Sequence, residues 1–267
     1  MLPPVADRPR TRPPAFTIVG GPPSRPLAPA PEPLDLGWRF LALGLVAAWV
    51  SGFVLPGGFT WFLAAIPHEM GHATVGCLLG HPSAPAISLR GEAWTGIAEQ
   101  RPLLVWAVVL ITAACAYGMR HRVGVAVGLG AVALLVPVIA FNQAGEAAIL
   151  VAGHAGELAF ATYCFYLAVT GGRTGTPQER TASAMAGALL QFVNLKLCAG
   201  LIVSQEARAW YATNGSVGLV NDYLRLADDV FGCSLQAVAG LMLFVAILPL
   251  PLGVLLGWRR LAHAAAE

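Results

Sequence analysis

Seven apolar blocks, at about 38–55, 59–80, 102–119, 123–141, 146–170, 182–204 and 234–257, run through this chain. Each approaches or exceeds the ~20 residues that a helix needs to cross a bilayer. Only 11% of the 267 residues are charged and the mean hydropathy is +0.67, whereas a soluble domain carries about 25% charged residues. The expected fold is therefore all-α, a polytopic membrane bundle of six or seven transmembrane helices spanning 38–267. Residues 1–37, rich in Pro and Arg, lack apolar periodicity and are expected to be a disordered arm. Polar connectors fall at 81–101 and 205–232, and the segment 82–91, too short and too broken to span, is expected as a short strand or re-entrant element. Arg8, Arg10, Arg12, Arg25 and Arg39 place the arm in the cytoplasm. With seven full crossings Arg259 and Arg260 then lie outside, so the arginines leave the topology open.

Inside the second block stands His68-Glu69-Met70-Gly71-His72. Histidines at i and i+4 share a helix face, roughly 6 Å apart at Cβ. That spacing suits two imidazoles on one tetrahedral Zn²⁺, with the intervening Glu as general base toward a water. Ionisable groups in a membrane segment are costly and are kept for function. Pro67, directly before the motif, removes one helix hydrogen bond. Irregular backbone at membrane depth is tolerated where it lines a wet cavity, and hydrolysis needs one.

A second polar cluster, Gly153-His154-Ala155-Gly156-Glu157, lies in the fifth block. His154 and Glu157, at i and i+3, share a face, while Gly153 and Gly156 allow a neighbouring helix to approach closely. They suit a third metal ligand, a partner behind the ligands, a contact to a substrate carbonyl, or a pair that only fixes helix packing. Gln191, Asn194 and Lys196 in the sixth block suit structural hydrogen bonding and snorkelling. A third cluster surrounds Asn221 and Asp222, where Leu219, Tyr223 and Leu226 form a helical stripe that Asn221 or Asp222 is placed to cap. Asp228 and Asp229 read as solvent-facing charges.

The transmembrane His68-Glu69-Met70-Gly71-His72, followed by Gly80-His81-Pro82 and a short broken segment, resembles the site-2 protease family of intramembrane zinc metalloproteases. The resemblance implies one Zn²⁺ per chain on His68 and His72, with Glu69 activating water. It makes Asp222, with Asn221 ahead of the final span, the counterpart of the family's third ligand; His154 is the alternative. It also implies that the substrate is a transmembrane segment of another membrane protein. His154 or Asn221 is placed to hydrogen-bond the tetrahedral oxyanion.

Two other classes fit the same residues. His68, Glu69, His72, His154 and Glu157 together could hold two irons in a carboxylate–histidine bundle, or the buried groups could serve an ion- or proton-coupled transporter. A net charge of +2 and the lack of a basic, aromatic-interleaved patch exclude nucleic acid as a partner. Five scattered cysteines argue against a disulfide framework. Lys196 is the only lysine among 16 basic residues, a bias of GC-rich bacterial genomes, so the expected location is a bacterial inner membrane.

Overall fold

The structure is a computed structural model and describes residues 34–54, 57–88, 92–171, 175–213 and 221–264. Among these, helices α1 (Leu34–Val54), α2 (Gly57–Leu78), α3 (Pro102–Gly118), α4 (Val123–Ala140), α5 (Gln143–Thr170) and α6 (Pro177–Val203) follow the first six apolar blocks closely. Short α7 (Gln205–Thr213) and α8 (Asp222–Arg225) occupy the polar connector, and α9 (Leu235–Ala246) and α10 (Pro249–Ala264) complete the chain. The disordered-arm expectation for residues 1–33, and the place of Leu219 in its stripe, lie outside the described residues. That expectation ran too far, to residue 37: α1 is already helical at Leu34. There a Cβ on Gly37 would lie 3.4 Å from the Val169 carbonyl of α5, so the early helix is packed against its neighbour.

Four helical runs are long and apolar enough to cross a membrane: Val123–Ala140, Gln143–Thr170, Pro177–Val203 and Leu235–Leu261. Only 11% of α4 is buried against the rest of the protein. A helix that is apolar all round and so little buried needs lipid, not water, around it. The chain is a membrane protein.

The core is built around α5, which packs against α2, α6 and α10, with α1 laid on α6. Caps mark the ends. The Asn142 side chain accepts from the Ala144 N–H at 2.8 Å to start α5, and Thr176 accepts from Glu179 N at 3.3 Å to start α6, with Pro177 in the first turn. Buried Arg180 reaches back to the end of α5, donating to the Ala168 and Val169 carbonyls, both at 2.9 Å.

The last apolar block is one candidate span, interrupted between α9 and α10. Pro249 and Pro251 carry no N–H, so carbonyls near Ile247 lose their helical donors. The buried Gln191 amide of α6 supplies them, donating to Ala246 O at 3.0 Å and Ile247 O at 3.1 Å. Its expected structural role is thus seen directly.

After α2 the chain turns on Gly80, whose φ is +83°. The His81 N–H bonds Gly76 O and the Gly80 N–H bonds Cys77 O, the paired closure of a Schellman motif. The segment expected to be a strand is β1 (Ser83–Ile87), which pairs antiparallel with β2 (Ala93–Ile97), in register Ala84↔Gly96, Pro85↔Thr95 and Ala86↔Trp94. This hairpin packs against α2 and brings β2 alongside the His68-to-His72 turn.

Candidate metal centre

Close approach of α2 and α5 builds the site. A side chain on Gly71 would drive into the Ala152 carbonyl, and one on Gly156 into Pro67 O, so glycine at both positions lets the two backbones touch. Gly153 faces the ligand atoms themselves: a Cβ there would lie 2.6 Å from His68 Nε2 and closer still to His72 Nε2. The glycines around His154 therefore make room for the imidazoles of the neighbouring helix.

His68 Nε2 and His72 Nε2 lie 3.0 Å apart, and Asp222 Oδ2 lies 3.1 Å from each. The hydrogens of the two rings are directed elsewhere. His72 Nδ1 stands 2.7 Å from the Ile149 carbonyl, which can only accept, so the ring carries its hydrogen there. His68 Nδ1 donates to Glu157 Oε1 at 2.5 Å. In neutral rings both Nε2 atoms then hold lone pairs, and these face each other and a carboxylate oxygen at contact distance. A single proton can relieve one edge of such a triangle; a cation at its centre relieves all three. Tetrahedral zinc, about 2.0–2.1 Å from its ligands, spaces them roughly 3.3 Å apart, so the donor set fits a metal with little adjustment. Behind each histidine sits the carboxylate or backbone carbonyl that metal-binding imidazoles commonly use to fix their tautomer.

Asp222 arrives on α8, which is held from below. Tyr223 is fully buried, with Leu226 and Ala227, against Cys198, Leu201 and Met242. Its ring also lies 4.3 Å from that of His154. As a ligand Asp222 would bind in its anionic form. The chain leaves α8 through a π-helical turn, Leu226–Phe231, ending at Gly232 with φ +58°.

A second group that could hold a metal, His68 with His154 and Glu157, shares one histidine with the first. Hydrogen bonds engage its Glu157 carboxylate and the Nδ1 atoms of both histidines. The Asn194 amide donates to Glu157 Oε2 and to Leu190 O, and its oxygen lies 3.1 Å from His154 Nδ1. Asn194, expected to be structural, is thus the clip that holds Glu157 behind His68. His154 sits beside the triangle, its ring 4.7 Å from that of His68, and is not one of its corners.

Glu69 belongs to neither group. Its Oε2 accepts from the Thr95 hydroxyl at 2.7 Å, and the same hydroxyl lies 3.0 Å from the Glu69 carbonyl. Thr95 comes from β2 and carries no signal in the sequence; only the hairpin register brings it here. A cavity of about 480 Å³ adjoins the triangle, lined by His68, Glu69, His72, Thr95, His154 and Asp222, with Tyr211 and Asn221 also in its wall. At its mouth Arg225 pairs with Glu146 at 2.6 Å.

Asn221 does not do what its sequence context suggested. It occupies the N-cap position of α8 without a side-chain cap bond, because its amide is drawn to the Tyr211 carbonyl instead. Asp228 and Asp229 are exposed, as expected. No family model matches this chain, and neither a curated protein nor a solved structure matches it.

Proposed function

We propose that this protein is a zinc-dependent intramembrane endopeptidase, with one Zn²⁺ per chain held by His68, His72 and Asp222. The observation that carries the reading is the triangle of three acceptor atoms at 3.0–3.1 Å beside a carboxylate, Glu69, that is left out of it. Three protein ligands with an adjoining cavity are the pattern of a catalytic zinc site, where a fourth position stays open. When bound, the ion supplies the Lewis acidity that makes a water nucleophilic near pH 7 and polarises a carbonyl.

The chain's own residues do the rest. Glu69 accepts the proton of the attacking water as its oxygen bonds to the scissile carbonyl carbon. It returns that proton to the amide nitrogen as the carbon–nitrogen bond breaks. Thr95 holds the carboxylate in place by donating to one oxygen, leaving the other for the proton. Glu157 keeps the His68 Nε2 lone pair directed at the centre and, being anionic, offsets the net positive charge of the occupied site. The substrate is a membrane protein's transmembrane segment, unwound where it enters the cavity. Counting the shorter apolar helices Gly37–Gly52 and Pro102–Gly118 with the four long runs makes six crossings, and α2 a seventh, in a bacterial inner membrane.

The second grouping, around His154 and Glu157, is what a two-iron centre would use. Its filled hydrogen bonds and the absence of Glu69 from it favour the single-metal reading. Glu69→Gln tests the function. The variant should keep its zinc and cut a co-reconstituted transmembrane peptide about 10²–10⁴-fold more slowly than wild type. Equal cleavage by variant and wild type would remove Glu69 from the chemistry and the peptidase reading with it.

A further inference from the structure

A peptidase of this kind must place a hydrogen-bond donor where the carbonyl oxygen becomes an oxyanion, and the directions of the cavity's hydrogens narrow the choice. The Thr95 hydrogen is directed to Glu69. The Asn194 amide nitrogen faces two acceptors, Glu157 Oε2 and Leu190 O, so its oxygen is the group that meets His154 Nδ1. His154 therefore carries its hydrogen on Nδ1 and presents a lone pair at Nε2; in this tautomer it is not a donor to the cavity. The Asn221 amide donates one hydrogen to the Tyr211 carbonyl, and Arg225 is paired with Glu146 and Asp229.

Tyr211 is different. Its side chain lines the cavity and is only 7% exposed. Its hydroxyl oxygen lies 3.5 Å from the backbone N–H of Tyr223, the residue that follows the ligand Asp222. That neighbour can only donate, so it orients the oxygen without using the phenolic hydrogen, for which the described residues provide no acceptor. Burial pushes the phenol up, above its ordinary value, so the hydrogen stays in place at working pH.

We infer that Tyr211 is a catalytic residue: its hydroxyl donates to the oxyanion of the tetrahedral intermediate. This rests on the peptidase reading above. Trp94, also in the cavity wall, carries an indole N–H without an acceptor among the described residues. It sits on the two-stranded hairpin, whereas Tyr211 is anchored to the ligand-bearing helix.

The test uses the full chain in lipid nanodiscs, comparing wild type, Tyr211→Phe and Trp94→Phe. Three quantities are measured: zinc per chain, kcat and KM on a synthetic transmembrane peptide, and affinity for a phosphinic peptide that mimics the tetrahedral intermediate. Tyr211→Phe should retain zinc and KM, lose about 10²-fold in kcat, and lose phosphinate affinity by a similar factor. A merely structural tyrosine would instead lose zinc as Asp222 shifts, and that result would overturn the inference. So would wild-type kcat and phosphinate affinity in Tyr211→Phe, or a loss confined to Trp94→Phe. If wild type holds zinc yet cleaves nothing, the peptidase reading fails, and the phosphinate comparison still decides whether Tyr211 addresses a tetrahedral oxyanion.

Discussion

Glu157 shows how much of this site is set one layer behind the ligands. Its two oxygens are shared between the His68 ring and the Asn194 amide, so its position is fixed from both sides. Replacing it by Gln keeps the shape but removes the charge behind the imidazole and puts a donor where Asn194 already donates. Changes to such supporting groups typically cost 10–100-fold in metal affinity, and Glu157→Gln should weaken zinc binding by about that factor in a competition titration with a chelator. Unchanged affinity would mean that the His68–Glu157 bond does not tune the metal. At this scale the sequence was readable where spacing alone sets geometry. His68, Glu69 and His72 are placed by one helix turn, and His154 and Glu157 by another. Thr95 and Tyr211 were not readable, since each reaches the site through tertiary contacts and neither residue type is unusual in its local context.

The helices divide into those that hold the site and those that meet lipid. Elements α2, α5, α6 and α8 supply the triangle and its supports, whereas α3 and α4 bury few residues, Val105 being the one buried side chain of α3. The break between α9 and α10 is the least obvious supporting feature. The two prolines there gave a visible signal, Leu248-Pro249-Leu250-Pro251, but the donor that answers it, Gln191, lies on another helix. Gln191→Leu would leave the Ala246 and Ile247 carbonyls without that donor in an apolar setting, a cost of about 1–3 kcal/mol. We expect a lower thermal midpoint for the detergent-solubilised variant, with zinc content unchanged at low temperature. A midpoint equal to that of wild type would show that the break does not depend on this side chain. The hairpin was half legible: a short strand or re-entrant element was expected within 82–91, where β1 lies, while its partner β2 read only as connector.

For the whole molecule, apolar block lengths were enough to expect a helical membrane bundle, because hydrophobic length is a local property of sequence. Joining residue 68 to residue 222 was not local. Asp222 was brought forward by a resemblance, beside His154 as its rival; in the fold Asp222 Oδ2 meets both Nε2 atoms, while the His154 ring stands 4.7 Å from that of His68. The proposed chemistry requires that triangle to hold a metal. The most direct measurement is elemental analysis of the purified, detergent-solubilised chain after zinc loading and desalting, for wild type, Asp222→Ala, His154→Ala and Glu69→Gln. One zinc per chain in wild type, His154→Ala and Glu69→Gln, with little or none in Asp222→Ala, is the predicted result. Full occupancy in Asp222→Ala, or two metals per wild-type chain, would contradict it.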